Sequence, residues 1–415
     1  MSDPTADYAI AIVGGGLVGA SLALALGSLN LRTVVIEAVA RSAPEQPSFD
    51  ERTTALANGS VRMFQTLGVW SGMDREATPI RKLHVSERGR FGVARIDAAE
   101  QGLPAIGYVV PNWAIGRSIV AALDAAPTVE VLAPARVVGT ELLADRRQLE
   151  IETAEGTRIL TAQLVVAADG ARSLLREQGG VGAEHWDYEQ TAVVTTATTQ
   201  RFHDHVAYER FTPDGPIAVL PLRDGRCGIV WTRPPEDAAR VLALDDAGFI
   251  RELQDAFGMR LGRFVQVGRR HGYELALTRA ECHSAPRLAI VGNAAQGLHP
   301  IAGQGFNLGL RDAASLAEVI ATVPDGPVID VGDDPVLRAY AQWRDEDRRR
   351  IVAFTDGLVR VFGSPLGLVR GLRGLGLLAF DALPPAKDAL ARLSVGAAGR
   401  VPRLARGVPL AARDR

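Results

Sequence analysis

The stretch Ala9-Ile-Ala-Ile-Val13, followed by Gly14-Gly-Gly16-Leu-Val-Gly19, decides the fold of the first part of the chain. A short apolar run rich in β-branched residues stops at a glycine cluster, which predicts a buried strand that turns into a helix. Residues 20–29 are good helix formers, and Thr33–Ile36 predicts a second buried strand that ends at Glu37. This order of strand, GxGxxG, helix, strand and acid is that of a dinucleotide-binding βαβ unit.

Each part of this unit has a physical role in holding a pyrophosphate. Gly14 permits the tight turn, Gly16 lets the backbone approach the phosphates, and Gly19 lets the helix pack closely on the strand. The helix N-terminus presents unpaired N–H groups and the positive end of a dipole. Glu37 is suited to accept a hydrogen bond from a ribose 2′-hydroxyl. Asn30 stands where such units often carry glycine, and asparagine tolerates the left-handed conformation that ends a helix.

Length and composition bound the class of protein. The chain has 415 residues, 47% hydrophobic and 23% charged, which suits two or three globular domains. A net charge of −2 produces no positive field that would attract nucleic acid, and the scattered histidines match no metal-binding pattern. Cys227 and Cys282 suggest no disulfide framework, which fits a reducing cytosol. No charge lies between Asp7 and Arg32, but the central glycines argue against a membrane span.

The remaining pattern predicts a discontinuous first domain and an inserted second one. From Gln190 to Thr278, long alternating strands joined by Asp-Gly turns predict an antiparallel sheet. The predicted fold class is therefore α/β plus antiparallel β: a Rossmann-type domain, an inserted antiparallel substrate domain and a C-terminal helical segment. The predicted boundaries are 1–75, 98–185 and 279–355 for the first domain, 76–97 and 186–278 for the second, and 356–415 for the C-terminal segment.

Two further motifs follow buried strands. An apolar strand ends at Asp169-Gly170, which either caps the next helix or places a carboxylate where open α/β sheets bind ligands. Leu288–Gly292 runs into a glycine-rich loop that opens a helix containing Asp312, and the N–H groups of this loop point at something negative or electron-rich. Three glycines, Pro300 and Asn307 in one short stretch make an ordinary tight loop the weaker interpretation.

Three features have a structural interpretation beside a functional one. Arg52 either reaches a phosphate or lies solvated on the surface. The run Arg344–Arg350 predicts a solvated helix face with i,i+4 ion pairs. From Arg360 onwards, ten basic and three acidic residues are interleaved with leucines. This segment either lies on an anionic membrane or a partner, or closes the core and ends in a frayed basic tail.

Together, Gly14–Gly19 with Glu37, Asp169-Gly170 and Gly292–Asp312 resemble the FAD-dependent aromatic hydroxylases of the p-hydroxybenzoate hydroxylase type. Within that superfamily the chain is similar to the ubiquinone-biosynthesis branch, and most of all to the 2-polyprenyl-6-methoxyphenol hydroxylases. This subgroup also carries Asn where the wider superfamily has Asp after Gly292. The matching phrases are Asp50-Glu-Arg52…Ala55-Leu56, Tyr188-Glu-Gln190, Tyr208-Glu-Arg-Phe211 and Gly292-Asn-Ala-Ala-Gln…His299-Pro-Ile-Ala-Gly-Gln-Gly-Phe-Asn307.

The resemblance implies an FAD-dependent monooxygenase that hydroxylates a polyprenylated phenol ring with NAD(P)H and O2, through a C4a-hydroperoxyflavin. In such enzymes the protein supplies binding, orientation and exclusion of water. The expected localisation is cytoplasmic, and the basic, leucine-rich C-terminus is expected to bind the inner membrane surface or a complex of the ubiquinone pathway; no metal and no nucleic acid are expected. The alternatives are a hydroxylase of a small soluble aromatic, a flavin-dependent prenyl-lipid reductase, and a non-enzymatic dinucleotide-binding scaffold.

The resemblance also assigns roles to individual residues. Gly14, Gly16, Gly19 and Glu37 hold the ADP half of FAD; the other expected cofactor contacts are Arg52, Asp169, Gly303, Gly305, Asn307 and Asp312. The loop expected to line the flavin comprises Pro300, Gly303, Gln304 and Gly305, with N–H groups that stabilise negative charge on the reduced ring. The expected substrate pocket contains Tyr208, Arg210, Leu220 and Trp231. No general base is identified.

Overall fold

The computed structural model describes residues 6–40, 52–90, 92–297, 304–324, 330–363, 391–392 and 395–410, without the side chains of Gln304 and of residues 350–363. The strands are β1 (Tyr8–Val13), β2 (Thr33–Ile36), β3 (Thr53–Ala57), β4 (Thr78–Ile80), β5 (Lys82–Glu87), β6 (Val93–Asp97), β7 (Gly107–Pro111), β8 (Val129–Leu132), β9 (Ala135–Leu142), β10 (Arg147–Thr153), β11 (Gly156–Ala167), β12 (Ala183–Thr199), β13 (Val206–Thr212), β14 (Gly215–Pro221), β15 (Arg226–Arg233), β16 (Phe264–Val267), β17 (His271–Ala280), β18 (Ser284–Ala285), β19 (Leu288–Ile290) and β20 (Gln296–Gly297). The α-helices are α1 (Leu17–Gly27), α2 (Asn58–Thr66), α3 (Asn112–Asp124), α4 (Leu174–Gln178), α5 (Pro235–Leu242), α6 (Asp246–Phe257), α7 (Gln304–Ala321) and α8 (Asp334–Gly363).

The first sheet is built on the N-terminal motif. Its strand order is β18-β19-β11-β1-β2-β8, and β9 and β10 continue from β11 as an antiparallel hairpin. Strand β1 lies between β11 and β2, and both pairings are parallel. Asn30 follows α1 with a φ of 54°, as the left-handed end of that helix requires. The predicted βαβ unit is therefore confirmed.

Both faces of the first sheet are buried, which explains why its strands are apolar without alternation. On one face, Ile10 and Ile12 pack with side chains of α1, α3 and α7. On the other face, Ala11 and Val13 pack with the β9–β10 hairpin. Helix α7 can approach α1 closely because Gly309 has no side chain: a Cβ on it would lie only 2.8 Å from Val18.

The second sheet is the predicted antiparallel layer. Its strand order is β20-β17-β12-β15-β14-β13-β5-β6, with β16 paired to the end of β12. Its pairings are antiparallel except that between β13 and β5. Helices α5 and α6 cover one face through a core that includes Trp231, Phe249 and Phe257.

The opposite face of the second sheet faces a small third sheet of order β3-β7-β4. Ala55 and Val109 of the third sheet pack with Ala207, Leu220 and Leu222 of the second. These contacts connect the parallel half of the protein to the antiparallel half. Among the helices that the structure describes, none has an apolar stretch long enough to cross a membrane.

Candidate functional site

The separate sequence motifs meet at one edge of the first sheet. Val13, Ala167 and Ile290, near the carboxyl ends of β1, β11 and β19, lie in register, and Ile36 of β2 pairs with Val13. The residues that follow these strands are therefore neighbours, although they come from four separate parts of the sequence. They are Gly14, Glu37, Asp169 and Gly292.

The glycine loop is a tight cradle that no larger residue can form. Gly14 has a φ of 106°, and a Cβ on it would fall inside the contact distance of the Ala168 carbonyl oxygen. A Cβ on Gly19 would meet the carbonyl oxygen of Gly14 in the same way. Gly16 caps α1 with no side-chain hydrogen bond, which leaves backbone N–H groups of the first turn for a ligand. The cradle fits a pyrophosphate.

Glu37 uses its carboxylate to hold the glycine loop. Its Oε2 accepts a hydrogen bond from the N–H of Gly15 at 2.6 Å, and its Oε1 accepts one from the N–H of Val39 at 2.8 Å. The carboxylate thus links the end of β2 to the loop after β1. A carboxylate oxygen has a further lone pair, so the expected contact with a ribose hydroxyl stays a prediction.

Asp169 presents a buried oxygen atom with no partner in the described part of the chain. Its Oδ1 makes no hydrogen bond, and its Oδ2 lies 3.4 Å from the N–H of Leu175. The N-cap of α4 is Ser173, whose Oγ accepts from the N–H of Arg176 at 3.0 Å. Because another residue caps the helix, the unpaired oxygen of Asp169 favours the interpretation that its carboxylate faces a ligand.

Asp312 acts through the protein and is not itself open to a cofactor. Its side chain has no accessible surface. Its Oδ2 accepts from the N–H of Gly292 at 2.9 Å and from Nε2 of Gln296 at 2.7 Å. Its Oδ1 accepts from Nε of Arg344 at 2.7 Å. The expectation that Asp312 contacts FAD is therefore corrected: this carboxylate shapes the loop after β19, because every direction around it is occupied by protein.

The charged run on α8 is partly buried, so the solvated helix face predicted from its sequence is wrong. Arg344 is fully buried, and Asp347 and Arg348 are nearly so. Arg344 pairs with Asp312 on α7 and with Asp347, and Arg311 of α7 also pairs with Asp347 at 2.7 Å. The buried charges are tolerated because each one has an opposite partner. Two of those partners, Asp312 and Arg311, lie on α7, which the i,i+4 pattern of α8 does not reveal.

A second branch of this network reaches the loop after β19 from the other side. His283 has Nδ1 at 2.8 Å from Oδ1 of Asp345 and Nε2 at 3.2 Å from Oε1 of Gln296. Gln296 in turn donates to Asp312. Hydrogen bonds between buried polar groups hold those groups in one geometry. The backbone at Gly292 is thus positioned by α7 and α8 together.

The start of α7 borders open space, as a cofactor-binding helix requires. Within the described part of the chain, a Cβ on Gly305 would have no atom within 4 Å. Asn307 accepts from the N–H of Ala57 and from Oγ of Ser60, both at 2.8 Å, and donates to the carbonyl of Ala55 at 2.8 Å. Asn307 therefore positions the end of β3. Pro300 and Gly303, together with the side chain of Gln304, lie outside the described residues.

The four residues predicted to form the substrate pocket do not lie on one face of the second sheet. Tyr208 packs edge-to-face on Phe257 of α6, and Arg210 donates to the carbonyl of Ala256 at 3.2 Å. Trp231 has no accessible surface and belongs to the same helical side. Only Leu220, of these four, packs on the side of the third sheet. The expectation of a common pocket is corrected, because successive strand residues point to opposite faces.

Glu209 is a candidate functional residue to which the sequence motifs assign no role. It lies opposite Ala218 and Val85 in the register and two residues from Ala207, which packs with Leu220. It therefore faces the third sheet. Glu209 is 9% exposed, and in the part of the chain described by the structure its carboxyl group has no hydrogen-bond or ion-pair partner. Burial raises the pKa of Glu209 to about 8. The signal available in the sequence was an acidic residue in the alternating series of β13 positions that also contains the apolar residues Ala207 and Phe211.

Arg52 lies between the two halves of the protein. Its guanidinium stacks on the ring of Tyr273 in β17, with 5.0 Å from Cζ to the ring centroid. Its carbonyl accepts from the N–H of Asn112 at 2.8 Å. The next residue, Thr53, also lies against the second sheet, since its Oγ1 is 3.3 Å from the position that a Cβ on Gly228 would occupy. The expected phosphate contact of Arg52 stays a prediction.

Comparison with known protein families identifies the class to which this fold and site belong. The family model described as an FAD binding domain matches residues 7–355. The chain belongs to this family. The predicted class of FAD-dependent enzyme, with a Rossmann-type domain and an inserted antiparallel layer, is therefore confirmed.

Individual relatives cover almost the whole chain. It is 38% identical over 413 residues to the ubiquinone hydroxylase UbiL of Rhodospirillum rubrum, covering 99% of this chain and 94% of that protein. It is 34% identical over 381 residues to the 3-demethoxyubiquinol 3-hydroxylase of Escherichia coli, covering 90% and 94%. The fold is shared with the p-nitrophenol 4-monooxygenase PnpA of Pseudomonas putida, at a TM-score of 0.76, 21% identity and coverage of 95% and 98%.

Proposed function

We propose that this protein is an FAD-dependent monooxygenase that hydroxylates a polyprenylated phenol ring in ubiquinone biosynthesis, with NAD(P)H and O2 as co-substrates. The observation that carries the proposal is the meeting of the Gly14 cradle, the unpaired Asp169 oxygen and the loop after β19 at one sheet edge. The names of the two relatives above, both hydroxylases of ubiquinone or its precursors, support the substrate class.

Different residues would bind different parts of the cofactor. Gly14, Gly16, Gly19 and Glu37 would hold the ADP half, with Asp169 beside the pyrophosphate and Arg52 bracing the flavin end. Gly305 and the residues before it would lie along the flavin, and Asn307 and Asp312 keep their backbone in place. Bound FAD supplies the redox and oxygen-activating chemistry, and the protein orients the substrate and excludes water.

Glu209 is the proposed proton acceptor for the phenol. A ring attacked by an electrophilic oxygen reacts more readily as phenolate, and an ordinary phenol has a pKa of about 10. A buried carboxyl group whose pKa is raised to about 8 is a stronger base than an exposed one. Its position on the face shared with Leu220 and Ala207 supports this role.

The division into domains is also part of the proposal. Residues 1–75, 98–185 and 279–355 would form the FAD-binding domain, and residues 76–97 and 186–278 the substrate domain. Residues 356–415 would place the protein peripherally at the inner membrane or in a complex of the pathway. Because Leu404 and Leu410 pack in the first core, this last point is tested with Arg370→Gln/Arg373→Gln and not by truncation. Unchanged membrane fractionation would refute it.

The alternatives differ in measurable ways. A hydroxylase of a small aromatic acid needs a basic residue in the pocket, and the bond of Arg210 to Ala256 on the helical side disfavours it for that role. A prenyl-lipid reductase would consume no oxygen. A non-enzymatic dinucleotide-binding scaffold would show no flavin absorbance when purified and none after FAD is added.

The decisive experiment combines oxygen consumption with product analysis. The purified flavoprotein is given a short-chain prenylated phenol, O2, and NADH or NADPH. We expect oxygen uptake coupled to a product heavier by one oxygen atom in mass spectrometry. Inactivation of the gene should make the unhydroxylated quinone precursor accumulate. NAD(P)H oxidation without a hydroxylated product, or accumulation of no precursor, would contradict the proposal.

A further inference from the structure

Three loops meet at one end of the second sheet: residues 200–205 after β12, residues 222–226 after β14, and residues 258–265, which follow α6 and enter β16. We call them the loop face. The N–H of Arg201 donates to the carbonyl of Leu261 at 3.0 Å, and the N–H of Gln200 to that of Arg263 at 2.8 Å. The ring of Phe202 lies 3.4 Å from where a Cβ on Gly225 would stand. The three loops therefore form one continuous surface.

Large apolar side chains project from this surface into solvent. Phe202 is 53% exposed, Met259 58% and Val265 57%. Among the large apolar residues that the structure describes, the only other one that is more than half exposed is Ile159, at 60%, which lies on the first sheet. Single exposed apolar residues are ordinary, but three on adjacent loops indicate a contact surface.

The same surface is basic although the whole chain is slightly acidic. The loop face carries five arginines and two aspartates, against a net charge of −2 for the protein. Within the described residues, Arg223 pairs with Glu76 at 3.3 Å, and the remaining four arginines form no ion pair. The charged residues are Arg201, Arg223, Arg226, Arg260, Arg263, Asp204 and Asp224.

Buried side chains beneath the loop face support its exposed apolar residues. The His203 side chain is buried, with Nε2 at 2.8 Å from the carbonyl oxygen of Leu222 and Nδ1 accepting from the N–H of His205 at 3.1 Å. The ring of Phe202 stacks on His203 at a centroid distance of 4.3 Å. The side chain of Leu222 belongs to the apolar cluster beside Leu220. The loop face is therefore contiguous with the inner face of the second sheet.

We propose that the loop face docks the protein onto an anionic lipid bilayer. Arginines without acidic partners attract lipid phosphates, and exposed aromatic and aliphatic tips enter the boundary between headgroups and acyl chains. An anionic surface complements both the charge and the apolar tips. The inference rests on the proposed function in one respect, because a polyprenylated phenol is held in a bilayer. Leu222 of the loop face contacts His203 and packs beside Leu220, and it thereby connects the docked surface to the face of the sheet that would meet the substrate.

The test measures binding of the full-length flavoprotein to vesicles. Vesicles of phosphatidylcholine, with or without phosphatidylglycerol, are sedimented with the protein at low and high salt. We expect binding that requires phosphatidylglycerol and weakens with salt. Arg201→Gln/Arg260→Gln/Arg263→Gln and, separately, Phe202→Ser/Met259→Ser should each weaken binding at least about tenfold. Circular dichroism and flavin content verify that the variants fold.

Matched controls come from the first sheet. Ile159→Ser removes an equally exposed apolar residue, and Arg136→Gln/Arg158→Gln removes exposed arginines; neither should change vesicle binding. Equal loss in these controls, or full binding by the loop-face variants, overturns the inference. Loss of binding only in Arg370→Gln/Arg373→Gln would assign the contact to the C-terminal segment and also overturns it.

Two further readouts separate this inference from the proposed function. A loop-face variant that abolishes self-association, with no effect on vesicle binding, would assign the surface to a second copy of the chain and refute the bilayer. Turnover of a short-chain phenol without vesicles should be the same for wild type and loop-face variants. Absence of that turnover in the wild type would refute the proposed function while leaving vesicle binding intact.

Discussion

Nε of Arg344 on α8 lies 2.7 Å from Oδ1 of Asp312 on α7, and neither side chain has accessible surface. The other oxygen of Asp312 accepts from the N–H of Gly292, directly after the parallel sheet. A buried ion pair therefore holds the backbone that borders the cofactor site. The charged run on α8 supports the site from within the protein.

Arg344→Ala should strongly destabilise the protein. Removing one partner of a buried pair leaves an uncompensated charge, which typically costs about 3–5 kcal/mol. Arg338→Ala is the matched control on the same helix, because Arg338 pairs with Asp334 at the surface at 2.9 Å. That exposed pair is worth less than about 1 kcal/mol. Urea denaturation measures both, and similar losses in the two variants would refute the structural role of Arg344.

Asp169→Ala should impair retention of FAD or its reduction by NAD(P)H. The prediction follows from the unpaired buried oxygen at the edge of the sheet. Ser173→Ala is the control, because it removes the actual N-cap of α4 and should cost about 1 kcal/mol of stability without loss of flavin. Flavin content and stopped-flow reduction distinguish the two. Normal values for Asp169→Ala would show that this carboxylate serves only the local fold.

Glu209→Gln should lower turnover while increasing stability at neutral and higher pH. The folded pKa, about 8, lies above the ordinary value of 4.5, so between these values the folded state retains a proton that the unfolded chain releases. Wild-type stability should therefore fall as the pH rises through this range, and Glu209→Gln should remove that fall.

The turnover of the wild type should rise with pH as Glu209 loses its proton, with an apparent pKa near 8, and the variant should lack this rise. Glu155→Gln, at an exposed turn, is the control and should change neither profile. Thermal unfolding and initial rates are measured over the same pH series. A variant with unaltered turnover and an unaltered pH profile would exclude Glu209 as the proton acceptor.

Gly14→Ala should abolish FAD binding. Its φ of 106° strains any residue with a Cβ, and that Cβ would collide with the carbonyl oxygen of Ala168. Gly89→Ala is the control, because Gly89 also has a positive φ, 72°, but no atom of the described residues lies within 4 Å of the added Cβ. It should cost about 1 kcal/mol and leave flavin content unchanged. FAD bound normally by Gly14→Ala would contradict the cradle.

The expected substrate residues illustrate where prediction from sequence ended. Alternation along β13 and β14 indicated strands correctly, but no single strand reveals which of its faces meets the cofactor half. The structure resolves this through Ala55 and Val109 on one side and Phe257 on the other. Tyr208 and Arg210 consequently lie on the helical side, and Glu209 between them faces inward.

Local chemistry alone identified the cofactor edge of the protein. A buried strand followed by Gly14, Asp169 or Gly292 carries its meaning within a few neighbouring residues, and parallel strands necessarily bring their carboxyl ends to one edge. The pairing of Arg344 with Asp312, the inward direction of Glu209 and the joining of the loops around Phe202 emerged only from the folded chain. These depend on contacts between residues far apart in sequence, and burial, which decides whether a charge is solvated or paired, is a property of the packed structure.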